Sequence, residues 1–283
     1  MNHLETYLTQ LRDTRATGEA VKETSFYPAL SALFDSLGAE LKPKVKCVIN
    51  IRNRGAGIPD GGLFTAEQLR APDAAEAVAN VKGFNGQIPA RGVVEVKGTR
   101  DDVRRIAASE QVEKYLKHYG LVLVTNLREF LLVERDGAHK ARVLEGYALA
   151  ATEQEFWAAS PRELASAHGE RFAEYLKRVM LTAAPLDAPE SLAWFLASYA
   201  RDAKTRIERA ELESLANVRK ALEEALGLRF EGERGEAFFR STLVQTLFYG
   251  VFSAWVLWSK SDAGRGRAAG SIGVWRSGLC TCP

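Results

Sequence analysis

Three charged residues sit where a folded sheet tolerates charge only for a reason. Asp60 follows Pro59 and precedes Gly61-Gly62 at the start of an apolar run. Glu95 and Lys97 lie in Gly92-Val-Val-Glu-Val-Lys97, whose valines read as a strand. Side chains alternate along a strand, so Glu95 and Lys97 share one side and Val94 and Val96 the other. A strand this apolar belongs inside a sheet, where a lone carboxylate or ammonium is costly unless paired or bound to a cation. A divalent cation supplies the reason. Mg²⁺, with Mn²⁺ as its substitute, takes one or two carboxylates plus water and phosphate oxygens. The expected metal ligands are Asp60, Glu95 and the Val96 carbonyl, with Lys97 positioning or activating the attacking water and offsetting phosphate charge. Two plainer readings stand beside this one. Asp60 also suits a turn before Gly61-Gly62, and Glu95 with Lys97 also suits an exposed pair on an edge strand.

Ile58-Pro-Asp60 followed by Val94-Glu-Val-Lys97 resembles the signature of the PD-(D/E)xK nucleases. The separation is long for that motif, and a loop excursion over 66–90 accommodates it. Glu23 lies in the helix before the first strand, where many of these nucleases carry an extra acidic residue; a capping or solvated glutamate is the alternative. Gln111-Val-Glu-Lys-Tyr115 matches the QxxxY element that one branch of the superfamily carries on the helix after the ExK strand. Four residues apart on a helix, Gln111 and Tyr115 face the same way. The resemblance thus implies Asp60, Glu95, Lys97, Gln111, Tyr115 and Glu23 as the catalytic set. It also implies an α/β restriction-endonuclease-like core, a mixed sheet flanked by helices, followed by an all-α connector.

A second layer covers about residues 20–260. ETSFYPALSALFDSLG, the IPDGGLF and GVVEVKG blocks and GEAFFRSTLVQTLFYGVFSAW together resemble the front end of single-polypeptide (type IIG or type I) restriction-modification enzymes. There an N-terminal nuclease precedes a helical connector and an adenine-specific DNA methyltransferase. The chain has no Gly-rich cofactor loop and no [DN]PP[YF] motif, so no S-adenosylmethionine site is expected in it. The implied partners are double-stranded DNA and a methyltransferase or specificity region, normally of the same polypeptide. Lys42, Lys44, Lys46, Arg52 and Arg54 form the expected phosphate-contacting patch, or else a solvated strand edge. The rival function is a non-catalytic DNA-binding or coupling module that docks a methyltransferase.

The elements that must position these residues follow from periodicity. Leu4, Leu8 and Leu11, then Leu30, Leu33, Phe34 and Leu37, predict two helices before residue 38, separated at Gly18 and stopped at Gly38. Strands are expected at 45–51, from 58 to 64, at 92–97, 121–125 and 130–134, with a helix at 109–119. That order predicts a mixed α/β nuclease domain over 1–150. Helical spacing then dominates, predicting an all-α connector over 151–260. The stretch 261–283 is expected to be a disordered or out-of-frame tail, because a neighbouring reading frame of 270–283 can encode an amphipathic, Trp-rich continuation.

Composition bounds the function. Of 283 residues, 46% are hydrophobic and 26% charged, as in ordinary globular proteins, and the net charge of +2 excludes a globally basic nucleic-acid coat. Three cysteines give no disulfide framework and fit a reducing, cytoplasmic setting. No Cys/His spacing suggests zinc, and no GxxxxGK[ST] loop suggests NTP hydrolysis. Leu243–Trp258 is apolar but shorter than the ~20 residues that span a bilayer. It is therefore expected as a buried helix and not a membrane anchor, and one that favours self-association if its partner is missing.

Overall fold

The computed structural model describes residues 2–19, 23–53, 55–69, 87–135, 141–182, 189–209 and 215–260. The expected tail at 261–283, Arg54 and the central part of the excursion, 70–86, lie outside the described residues.

Helix α1 (His3–Ala16) buries Leu4, Tyr7, Leu8 and Leu11, and Asn2 caps its start. A 3₁₀ turn at Glu23–Phe26 leads into α2 (Tyr27–Gly38), which buries Leu30, Leu33, Phe34 and Leu37 at the expected spacing. Gly18 takes the left-handed conformation at φ 72°. Gly38 does not, contrary to the expected stop. A Cβ there would lie 2.1 Å from the Val45 carbonyl oxygen, so its smallness serves the close passage of the next strand.

Strands β1 (Val45–Ile49) and β2 (Gly61–Thr65) form an antiparallel hairpin in the register Val45↔Thr65 to Ile49↔Gly61. After α3 (Ala66–Leu69), Gln68 staples the base of the excursion. Its Oε1 accepts from the Thr65 and Ala90 amides, each at 3.1 Å, and its Nε2 donates to the Ile88 carbonyl at 2.7 Å. Gln87 returns a bond to the Gln68 carbonyl at 2.9 Å. Strand β3 (Val93–Val96) follows, then α4 (Val103–Ala107), α5 (Glu110–Tyr119), β4 (Leu121–Thr125), β5 (Glu129–Arg135) and β6 (Ala141–Ala148).

The sheet runs β1-β2-β3-β4-β5-β6. Only β3 and β4 pair in parallel, through the α4–α5 crossover; the other neighbours are antiparallel. This is the mixed sheet expected, with β3 interior. Val94, Val96 and Leu123 join the core under α1 and α2, whereas Val93, Val122 and Val124 pack with Val103, Val112, Tyr115 and Leu116 of α4 and α5. Glu95 alternates with the valines onto the α4–α5 face.

Two expectations need correction. Strand β6 was not anticipated. It is an edge strand whose residues are mostly half-exposed, and its polar members are paired: Arg142 with Glu134 and Glu145 with Arg178. An apolar-alternation test misses such a segment. The boundary near 150 also shifts, because the first compact unit runs to Ala184. Helices α6 (Glu153–Ala158) and α7 (Pro161–Leu181) place Phe156, Phe172, Tyr175, Leu176 and Met180 in the same core as α1 and α2. The Tyr175 hydroxyl donates to the Phe130 carbonyl at 3.0 Å, tying α7 to β5.

The second unit, 185–275, is helical where described: α8 (Pro189–Arg209), α9 (Leu215–Leu226) and α10 (Gly232–Lys260). It buries Phe195, Phe230, Phe239 and Val244. In the segment expected as a buried helix, Phe238, Leu247, Tyr249 and Leu257 are each more than half exposed, the partial exposure expected of it without a partner. Among the described residues no helix is long and apolar enough to cross a membrane.

Candidate active site

The site lies where β2 and β3 part. Their pairing covers Gly61↔Val94 and Gly62↔Val93. One residue further, Asp60 replaces the ladder: its Oδ2 accepts the Val96 amide at 2.7 Å. The carboxylate thus satisfies a strand donor that would otherwise lack a partner. On the other side of β3, the Lys97 amide donates to the Thr125 carbonyl at 2.9 Å and keeps the strand end on β4. Asp60 is half-buried, whereas Glu95 is 1% exposed.

The Asp60 carboxylate, held on the Val96 amide next in chain to Glu95, acts on Glu95 through its charge. The Lys97 ammonium binds Glu95 Oε1 and stands 3.3 Å from the Val96 carbonyl oxygen. Glu95 Oε2 is buried and has no donor. Burial pushes the Glu95 carboxyl up to about 7. Lys97 opposes the shift, and the Asp60 charge adds to it. Burial alone would lower the Lys97 ammonium. The hydrogen bond to Glu95 and the charges of Glu95, Asp60 and Glu23 outweigh it and raise the group, so Lys97 stays protonated. Of the two roles expected for Lys97, this geometry favours positioning and charge compensation over proton abstraction.

Glu23 stands in the 3₁₀ turn and not in the α-helix proper, yet its charge reaches both Lys97 and Tyr27. On α5, Gln111 Nε2 donates to the Tyr115 hydroxyl at 2.9 Å. Burial raises the Tyr115 phenol, Gln111 opposes this, and the Glu95 and Asp60 charges add to it, which ties Tyr115 to the carboxylates. Gln111 and Tyr115, with Gly57, Ile58, Ser109 and Lys114, line a surface cleft of about 530 Å³. Asp60, Glu95, Lys97, Glu23 and Tyr115 thus act on one another through their charges, and Gln111 joins them through its bond to Tyr115.

The segment after Lys97 is held from behind. Buried Arg128 donates to the carbonyls of Thr99 (3.1 Å), Ala150 (3.1 Å) and Ala151 (2.9 Å). Asn126 Nδ2 reaches the Asp101 carbonyl at 2.7 Å, and the Thr99 hydroxyl donates to Glu153 at 2.7 Å. Sequence reasoning missed this support because its members are scattered through loops. It also missed Tyr27, a buried residue of α2 whose phenol keeps its proton through burial and through the nearby Asp60, Glu23 and Glu95 charges. Tyr27 reads as core by periodicity; its four-residue spacing from Glu23 was the available signal.

Among the described residues, no three His, Cys, Asp or Glu side chains gather to hold a metal. The set here is two carboxylates and a main-chain carbonyl. It fits a hard cation that keeps several waters, because its donors are all oxygen and one buried carboxylate oxygen lacks any partner. Lys42, Lys44, Lys46 and Arg52 are exposed along the β1 edge. The β1–β2–β3 register puts Lys46 on the sheet face that carries Glu95.

No family model and no curated protein matches the chain. Among solved structures, a cryo-EM structure of a DrdV–DNA complex is similar, with a TM-score of 0.36 and 14% identity. The match covers 98% of this chain and 23% of that one, so this chain spans under a quarter of its length. Similarity at that level assigns neither fold nor activity.

Proposed function

We propose that the chain is a Mg²⁺-dependent DNA endonuclease of the PD-(D/E)xK kind, the nuclease part of a restriction-modification enzyme. One observation carries this reading. Asp60 and Glu95 meet at the parting of β2 and β3, with Lys97 beside them and Glu95 Oε2 buried without a donor. Asp60, Glu95 and the Val96 carbonyl would hold the cation. When bound, it would polarise the scissile phosphate and favour attack by water. The chain's own residues do the rest. Lys97 orients the water and offsets phosphate charge. Gln111 and Tyr115 shape the wall along which the backbone lies. Glu23 adds negative charge that keeps Lys97 protonated. Lys42, Lys44, Lys46 and Arg52 supply sequence-independent phosphate contacts.

The test is cleavage of supercoiled plasmid with Mg²⁺, comparing wild type with Asp60→Ala. Nicking or linearisation by the wild type alone, abolished by EDTA, supports the reading. Equal cleavage by Asp60→Ala overturns it. DNA binding with no cleavage, and no heat on titrating Mn²⁺, favours the coupling module instead.

A further inference from the structure

We propose that the cleft between the 55–58 turn and α5 seats the backbone of one DNA strand, one or two nucleotides from the scissile bond, with Ile58 against a deoxyribose and Lys114 on a phosphate. The proposal rests on the nuclease reading above and deepens it. The cleft measures about 530 Å³, in the range of small-ligand sites, and so takes a nucleotide unit. Its two sides differ in chemistry. The turn contributes Ala56 and Ile58, and Ile58 is 59% exposed. The helix contributes Gln111 and Lys114, both exposed and three residues apart, hence neighbours on its surface. The cleft is shaped before any ligand arrives. Asn53 Oδ1 accepts the Gly55 amide at 2.8 Å and the Gly57 amide at 3.2 Å, which holds the turn. Gly57, at φ 108°, lies against Tyr115: a Cβ there would stand 3.4 Å from the ring and 3.5 Å from its hydroxyl. That hydroxyl in turn accepts from Gln111 at 2.9 Å.

Chain connectivity sets the distance to the carboxylates. Ile58 stands two residues before Asp60, and two residues of fully extended chain span at most about 7 Å. One strand of B-DNA advances about 3.4 Å of axis per phosphate. A strand that offers its scissile phosphate at Asp60 therefore passes the cleft one or two nucleotides away. A single exposed isoleucine is ordinary on a protein surface. Here it shares a concave cleft with an ammonium, and a sugar-phosphate chain repeats the same pairing of apolar and ionic groups. Such contacts fix position and carry no base specificity. Glu110, in the first turn of α5, lines the cleft as well, and its charge opposes a phosphate. Removing it should therefore act in the opposite direction to removing Lys114.

The test uses the full chain and a fluorescein-labelled DNA duplex of arbitrary sequence, read by anisotropy in EDTA across a range of salt, with Mn²⁺ calorimetry on the same proteins. Lys114→Gln should weaken DNA binding and reduce the slope of log K against log salt by about 1. Glu110→Gln should tighten binding. Ile58→Ser should weaken it about 4-fold, the worth of one buried CH₂ group, with the slope unchanged because no charge is lost. Lys117→Gln is the control: it removes the same charge from an exposed position of α5 outside the cleft, and should leave the slope as it was. All four side chains are exposed, so melting temperatures should stay at the wild-type value. An unchanged slope in Lys114→Gln, or an equal loss in Lys117→Gln, overturns the proposal and leaves the nuclease reading standing. A wild type that binds DNA through the cleft but takes up no Mn²⁺ overturns the nuclease reading and keeps the cleft as a DNA seat. A wild type that binds neither overturns both.

Discussion

The Lys97 ammonium binds one oxygen of Glu95 and leaves the other, equally buried, with no donor. Three carboxylates, Glu95, Asp60 and Glu23, act on this single ammonium. The pocket is therefore short of positive charge in the metal-free chain. On the proposed reading an additional cation would make up that shortage, and several measurable consequences follow.

Asp60→Ala, Glu95→Ala and Lys97→Ala should each lower plasmid cleavage at least about 100-fold, the upper end of what losing even an outer partner of a metal costs. Circular dichroism should show the fold retained, since these residues serve the site and not the core. Near-wild-type cleavage by any one of them removes that residue from the mechanism.

Stability should fall with rising pH because of Glu95. Burial raises its folded carboxyl to about 7, above the ordinary glutamate range. The folded state then keeps a proton that the unfolded state gives up. The contribution is complete below the ordinary range and is lost as pH climbs toward about 7. Glu95→Gln should flatten the melting temperature across that window. Mg²⁺ should raise the wild-type melting temperature above it, by about 2.7 kcal/mol of stability at 100 times its Kd. A wild-type profile identical to that of Glu95→Gln contradicts this account.

The first unit should be separable at 182 and not at 150. A chain ending at 150 lacks Phe156, Phe172, Tyr175, Leu176 and Met180, all of which are fully buried. Losing a single buried phenylalanine costs about 3–5 kcal/mol, so that product should be insoluble. Residues 1–182 should elute as a monomer in size-exclusion chromatography. The full chain, with Phe238, Leu247, Tyr249 and Leu257 exposed, should self-associate. A cleanly monomeric full chain contradicts this.

Binding to non-specific DNA should be weak and steeply salt-dependent. Replacing Lys42, Lys44 and Lys46 by Gln should reduce the slope of log K against log salt by about 3 if all three meet phosphates. An unchanged slope assigns these lysines to guarding the exposed strand edge.

Much of the site was legible because its signals are local. The valines around Glu95 mark an interior strand, and Gln111 with Tyr115 carries its own helical spacing. What stayed hidden is relational. The amphipathic pattern of α7 announces a helix but not which core it faces, and only the contacts of Phe172 and Tyr175 assign it to the first unit. Strand β6 satisfies its charges through partners distant in sequence, Arg178 among them. Tyr27 reads as core by position, and only the folded chain brings its phenol under the Asp60 and Glu95 charges.

The Gln68 staple has a practical corollary for protein engineering. It holds Thr65, Ile88 and Ala90 side by side through one amide side chain. Gln68→Ala releases all three bonds at once, whereas Gln68→Glu keeps the acceptor and loses the donor, so position 68 is the place to loosen or keep the join of β2 to β3 by design.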